Sequence, residues 1–430
     1  VQTGILNLTN GGTHTGNFDV AAGAVLGFGD GTHNLNSGAI TSPGTVRVNG
    51  TTDVNVNTAY SIAGTTDIQS GFFNVLGDNA STGALQQSSG SVTGANNFTV
   101  TGSADITFGD HRGTGTTILQ GSSTISSSGF RLDGGRVLRN ENTLTWNGGQ
   151  LVFNNTFNGA SGGSGSGTIN NTATGTFIAS GDNAFNIFAS NFGGTDTGED
   201  AVFNNAGTFR KSGSDATNTT TVGVAFNNTG TIDVQTGRLV LTSPFTNQGS
   251  VNVDAGATVQ VQNATFNNQG ILLGNGTYQT LNSSTALVNA GTLAPGVGGI
   301  GALAISGDYT QLASGFLDIE LGSLTSFDKL NVLGDVNLSG TLRISSLGGY
   351  NPNQGDSFTI ATFDDGVADP ADLTGIFDNI VWSGFNPNVS FTASYFDNSI
   401  VLNASAAPVP VPPAIWLFGS GIVGIAAGFR

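Results

Sequence analysis

The sequence predicts an all-β chain: a right-handed parallel β-helix (β-solenoid) with a small C-terminal β cap and one hydrophobic C-terminal helix. Three observations lead there. A short phrase with an Asn-x-Gly corner recurs through the middle third. Alternating strands follow each corner. Glycine is abundant and proline scarce.

The phrase reads Phe203-Asn-Asn-Ala-Gly207, Phe226-Asn-Asn-Thr-Gly230, Phe245-Thr-Asn-Gln-Gly249, Phe266-Asn-Asn-Gln-Gly270 and Leu287-Val-Asn-Ala-Gly291. Its apolar residue returns after 23, 19, 21 and 21 residues. A period of about 20 residues marks units that cannot bury their own apolar face and must stack on the next. Phe203, Phe226, Phe245, Phe266 and Leu287 are the expected core column. Asn and Gly mark the bend, with Gly supplying positive φ and Asn tolerating the left-handed region. The second Asn of each phrase (Asn205, Asn228, Asn247, Asn268, Asn289) is expected to form a structural ladder of side-chain amides along the axis. Thr231-Ile-Asp-Val234 and Ser250-Val-Asn-Val253 then alternate as half-buried strands. An antiparallel sandwich offers no reason for one corner to repeat.

Composition agrees. The 430 residues hold 67 Gly and 10 Pro, with 37% hydrophobic residues and 28 Phe, which fits short strands and many turns rather than disorder. The formal charge is -17 with 11 basic residues, so no basic face is available for nucleic acid. There is no Cys, which excludes disulfides and thiolate metal sites. There is no Met either, so Val1 is not a translational start and the absence of a signal peptide says nothing about compartment.

Residues 1–150 carry looser coils, with short strands such as Val46-Arg-Val48 and Val54-Asn-Val56. An uncapped first coil would leave strand edges open to pairing. The Gly/Ser-rich run 159–168 reads as a loop thrown out of one coil. The expected organisation is a β-helix over 1–365, a β cap over 366–406, a Pro-rich spacer over 407–413 and a hydrophobic sorting or transmembrane tail over 414–430. About 18–20 coils would give a rod of roughly 90 Å.

Two stretches resemble known families. Gly291-Thr-Leu-Ala-Pro-Gly296, Leu317-Asp-Ile-Glu-Leu321, Phe327-Asp-Lys-Leu-Asn-Val332 and Gly355-Asp-Ser-Phe-Thr-Ile360 resemble the last coils of autotransporter-type passengers, over about residues 290–365. That resemblance implies continuation of the β-helix and cover for its C-terminal end. The segment with Val409, Pro410, Val411, Pro412, Trp416 and terminal Arg430 is similar to the PEP-CTERM sorting signal in its Val-Pro-x-Pro-Ala variant. Pro413 stands where that family has Ala, and one Arg replaces a basic cluster. The resemblance implies recognition by an exosortase, export across the inner membrane, a membrane stage through the tail before processing, and display at the bacterial surface.

No nucleophile elbow, phosphate loop or His metal motif is present. The candidate Ca²⁺ ligands are Asp364, Asp365 and Asp369 in one loop and Asp196, Glu199 and Asp200 in another. Asp110-His111-Arg112 places acid and base on adjacent strand positions, which face opposite ways. No cofactor is expected. The expected function is a non-enzymatic, secreted structural or adhesive surface protein. Its partners would be other copies in a fibre or surface layer, or extracellular polysaccharide. The rivals are a polysaccharide lyase or hydrolase, marked by acids plus an Arg meeting on one coil face, and a carbohydrate-binding module, marked by a row of exposed aromatics.

Overall fold

The structure, a computed structural model, describes residues 1–406 except 127–128, 156–164, 182–184, 195, 263–264, 282–285 and 365–371. Three strands make one circuit, and each pairs in parallel with the strand one circuit later. Thr208–Ser212 pairs with Thr231–Val234, then Ser250–Val253, then Ile271–Gly274. Thr219–Gly223 pairs with Arg238–Leu241 and Thr258–Val261 on another face. The third face carries the repeated phrase, in the register Phe203↔Phe226↔Phe245. This is a right-handed parallel β-solenoid.

The face after each Asn-x-Gly corner holds seventeen rungs among the described residues, from Ile5–Thr9 to Asn379–Ser383. At about 4.8 Å per rung the rod is roughly 80 Å long. It is shorter than the uniform period suggests because some circuits are long: 31 residues separate Asn140 from Asn171, and 34 separate Asn171 from Asn205. Parallel pairing continues through Leu373–Gly375 and Asn379–Ser383. A hairpin of Val389–Phe396 and Ser399–Ala406 then turns antiparallel and seals the edge of Ser357–Phe363.

The core is one column of apolar side chains along the axis. Phe203, Phe226, Phe266 and Leu287 are at most 1% exposed and Phe245 is 7% exposed. Successive ring centroids lie 5.0, 6.0 and 5.4 Å apart from Phe203 to Phe266, in edge-on or tilted contact. That geometry suits the aromatic quadrupole better than face-to-face stacking. Phe177 and Phe209 pack beside the column, 5.5 Å apart and nearly parallel.

Two expectations are corrected. The first is the helix. The described residues contain no helix of any kind, and every regular element is a strand. The physical reason is local: the apolar period is two, and Gly or Asn corners interrupt it within a few residues, so no 3.6-residue stripe develops. Residues 414–430, where the helix was expected, lie outside the described residues.

The second correction concerns glycine. Gly207, Gly230, Gly249, Gly270 and Gly291 are not in the left-handed region. They are required by close approach. A Cβ on Gly249 would lie 2.0 Å from the carbonyl oxygen of Gly230, and one on Gly270 would lie 2.0 Å from that of Gly249. Corner stacks directly on corner, leaving no room for a methyl group.

Candidate functional site

The inner amide ladder lies where each phrase strand meets its corner. The Nδ2 of Asn205 donates to Oδ1 of Asn228 at 2.8 Å, Asn228 to Asn247 at 2.7 Å, Asn247 to Asn268 at 2.7 Å and Asn268 to Asn289 at 2.8 Å. The second hydrogen of Asn205 serves the carbonyls of Thr231 at 3.0 Å and Gly207 at 3.3 Å. The Gly207 carbonyl, which already accepts the Thr231 N–H at 2.8 Å, thus gains a second donor from the ladder. The ladder starts earlier than the period reveals, with Asn140 donating to Asn171 and Asn171 to Asn205. It ends through the Tyr309 hydroxyl on Gln311, the residue in register with Asn289.

A second ladder runs outside, built from the first Asn of the phrase. Asn204 donates to Asn170 and Asn227 to Asn204, both at 2.9 Å, and the Thr246 hydroxyl closes the row on Asn227 at 3.0 Å. Its donors point back along the chain, whereas the inner donors point forward. The N-terminal coils repeat the pattern: Asn55 bonds Asn34, Asn74 bonds Asn55 and Thr93 bonds Asn74. Both outer ladders escaped sequence reasoning. The signal was there in the first Asn of each Asn-Asn pair and in Asn34, Asn55 and Asn74 at a period of about 20.

Beside the outer row lie two adjoining cavities of about 360 and 470 Å³ that share Asn227 and Thr229. No charged residue lines either.

A third cavity, of about 350 Å³, brings acids and an arginine together, with Asp318, Glu320, Asp328 and Arg343 in its lining. Arg343 grips Asp318 with Nε–Oδ1 at 2.5 Å and Nη2–Oδ2 at 2.7 Å, and its guanidinium lies 4.2 Å from the Phe316 ring centre. Asp328 is 1% exposed. Its carboxylate accepts the backbone N–H of Gly301 at 2.7 Å and of Glu320 at 2.8 Å. Burial pushes this carboxyl up to about 7, with the charges of Glu320 and Asp318 adding to the rise and the two backbone bonds opposing it. Glu320 makes no side-chain hydrogen bond among the described residues. Alternation explains the grouping: Asp318 and Glu320 share one face of Phe316–Leu321, and Asp318 is in register with Arg343. Sequence reasoning missed this group because Asp328 and Arg343 arrive from other strands.

The sequence-singled acids are placed differently. Asp196 is buried and takes the Asn154 amide at 2.5 Å. Asp200 is exposed and accepts the Ser166 N–H at 3.0 Å. Burial raises its pKa, but bonds from Ser166 outweigh this and leave it below the usual carboxylate value. Glu199 is exposed, as is Asp364 beyond Ser357–Phe363. Asp365 and Asp369 lie outside the described residues, as do Val409, Pro410, Val411, Pro412, Trp416 and Arg430. Among the described residues no group of three or more His, Asp or Glu is arranged to hold a metal.

Asp110 and Arg112 pair on the outer face of the strand, where Asp110 is itself buried and accepts the Ser91 hydroxyl at 2.6 Å, while His111 points inward. His111 meets Gln87 at 2.9 Å and Thr117 at 3.0 Å. Arg136 reaches the same Thr117 hydroxyl and the Gly94 carbonyl. Burial, then the Arg136 charge, lowers the His111 pKa well below the usual imidazole value. The exposed large aromatics, Trp382 and Phe396, lie near the C-terminal hairpin.

No protein-family model matches the chain, and no curated protein matches it. The class that the fold defines is therefore the coarse one, a β-solenoid repeat protein.

Proposed function

We propose that this protein is a non-enzymatic structural or adhesive rod of the bacterial cell surface. The observation that supports this is the continuous three-faced stack, in which one core column and one saturated amide ladder span rung after rung. Such a molecule offers length and a repeated surface. The resemblance of residues 407–430 to a PEP-CTERM signal supports export across the inner membrane by an exosortase. The resemblance of residues 290–365 to autotransporter-type passengers supports an extracellular setting. Extracellular polysaccharide or further copies of the chain are the partners in this reading.

The test is display in the native host. Immunogold labelling should place the rod outside the cell, and deletion of its gene should weaken attachment or matrix cohesion. Retention in the cytoplasm, or unchanged attachment, would count against the proposal.

A second reading has a specific observation in its favour. The Asp318, Glu320, Asp328 and Arg343 group sets a carboxyl that burial pushes up to about 7, Asp328, in one cavity with a second carboxyl, Glu320. A raised carboxyl beside a second one is the starting point for a glycosidase acid and base. It ranks second because the carboxylate of Asp328 is occupied by backbone N–H groups, so the residue already serves as a strut. A lyase ranks lower still, because Arg343 is neutralised by Asp318. Hydrolysis of a polysaccharide panel, abolished in both Asp328→Asn and Glu320→Gln, would establish this reading; no turnover would remove it.

A further inference from the structure

The outer Asn row has capacity left over. A primary amide offers two N–H donors and two carbonyl lone pairs. Asn204 spends one donor on Asn170 and one lone pair on Asn227; Asn227 spends one donor on Asn204 and one lone pair on Thr246. One donor and one acceptor per residue remain, on the outward side of a half-buried strand. The ladder bonds hold these amides in one orientation, so their free valences repeat at the rung spacing of about 4.8 Å. The inner ladder differs, since the second hydrogens of Asn205, Asn228 and Asn268 are taken by corner carbonyls.

Asn204 and Asn227 line the two adjoining cavities, which share Asn227 and Thr229 and together follow the rod from rung to rung as one groove. The small corner residues Ala206 and Thr229 are exposed and leave the space open. Farther along, Gln248 and Gln269 are bonded to each other at 3.4 Å and add amides to the lining.

We infer that this groove, from Asn170 to Asn267, binds one neutral, unbranched, β-linked glycan chain laid along the rod. Three features select that occupant. The lining carries no charge, while the chain as a whole is at -17, which repels polyanions. Hydroxyl groups both donate and accept, matching amides that present one of each. An extended β-linked hexose chain advances by about one rung per sugar, so one contact can recur along the row. A protein partner would call for an apolar or aromatic anchor at the centre, and the only aromatic in the lining, Phe245, is 7% exposed. This inference rests on the adhesive reading and names the class of polymer held.

The test uses the full chain and three neutral hexasaccharides, cellohexaose, laminarihexaose and chitohexaose, with hexagalacturonate as the acidic control. Binding is followed by NMR titration or calorimetry at low and high salt. At least one neutral hexasaccharide should bind, about tenfold or more tightly than the acidic one, with little dependence on salt. Thr229→Leu puts apolar bulk in the groove at an exposed corner and gives up only the 3.4 Å bond from the Thr229 hydroxyl to the Asn205 main-chain carbonyl, and Asn204→Asp places a charge in the row. Each should weaken binding about tenfold or more, and Thr229→Leu should leave the melting temperature nearly unchanged. No binding of any neutral hexasaccharide overturns the inference. So does preference for hexagalacturonate, or binding that survives both variants. If the rod is displayed and supports attachment yet binds none of these sugars, the groove assignment alone fails; if it stays inside the cell, the surface reading fails with it.

Discussion

The N-terminal and middle coils solve the same corner in different ways. In the middle, from Asn140 to Asn289, the inward residue before the corner is an amide that bonds its own copy one rung away. In the earlier coils the residues in register at that position are Thr82, Val100 and Leu119, and Leu119 pairs directly with Asn140. At Thr82 the chain rounds the corner within the long strand Ala80–Gln87, as it does in Ala59–Ile68 one circuit earlier, whereas at Val100 and Leu119 the strand ends at the corner. The Thr82 hydroxyl meets the local polar groups, taking the Thr66 N–H and donating to the Ala84 and Gly64 carbonyls. The lesson is that stacking needs any side chain that packs on its own kind. Broken strands alone do not call for an amide, since Val100 and Leu119 stand at the ends of Phe98–Val100 and Thr116–Leu119.

The strongest way to probe the contrast is to empty the core of the middle coils. Phe226→Ala should destabilise the rod by about 3–5 kcal/mol, because its ring touches Phe203, Phe209 and Phe245. Val100→Ala in the aliphatic coils should cost less, since fewer atoms are removed. Urea titration of both variants reads the difference, and equal costs would mean that the aromatic column has no special weight.

Next comes the corner itself. Gly249→Ala forces a methyl group against the Gly230 carbonyl and should cost about 1–3 kcal/mol through overpacking. Gly129→Ala, where a Cβ meets nothing within 4 Å, is the control and should be close to neutral. Similar losses for the two would contradict close approach as the reason for corner glycine.

The amide is tested by Asn228→Leu, which imports the aliphatic solution into the middle coils. It should cost about 1–3 kcal/mol, because the buried amides of Asn205 and Asn247 each lose a ladder partner and the Gly230 and Ser250 carbonyls lose a side-chain donor. An unchanged midpoint would show the ladder to be ornamental.

The smallest effect is set by pH, and it belongs to the N-terminal coils. His111 is buried and stays neutral in the folded rod, while in the unfolded chain it takes a proton near pH 6.5. The unfolded state therefore binds more protons as pH falls below about 6.5, and stability is lost on the acid side. Asp328 has the opposite sign: its folded pKa is raised, so its contribution is lost as pH rises towards about 7. The clean measurement is the difference between the native protein and His111→Gln. The native chain should lose up to about 1.4 kcal/mol per pH unit relative to the variant below about pH 6.5. Parallel pH profiles would mean that His111 titrates normally.

Much of this was legible in the residues. The Phe203-Asn-Asn-Ala-Gly207 phrase and its copies revealed the stacking period, the inward apolar positions and the recurrence of Asn205 and its partners, because a stacked fold writes its contacts into the spacing. The outer ladder was legible too, in Asn204 and Asn227, and went unread. The role of Gly249 was read as a torsional one, since sequence does not report how near two corners come.

What the sequence determined by itself was the repeat, and hence the all-β solenoid: period-two alternation and an apolar return every 20 or so residues act locally and survive any arrangement of loops. What only the tertiary structure decided was the meeting of residues from different circuits. Arg343 reaches Asp318 across 25 residues, Asn171 reaches Asn205 across 34, and Asp328 reaches the Gly301 N–H across 27. Those distances depend on how many residues each loop consumes before the chain rejoins its rung, a quantity that composition and spacing leave open.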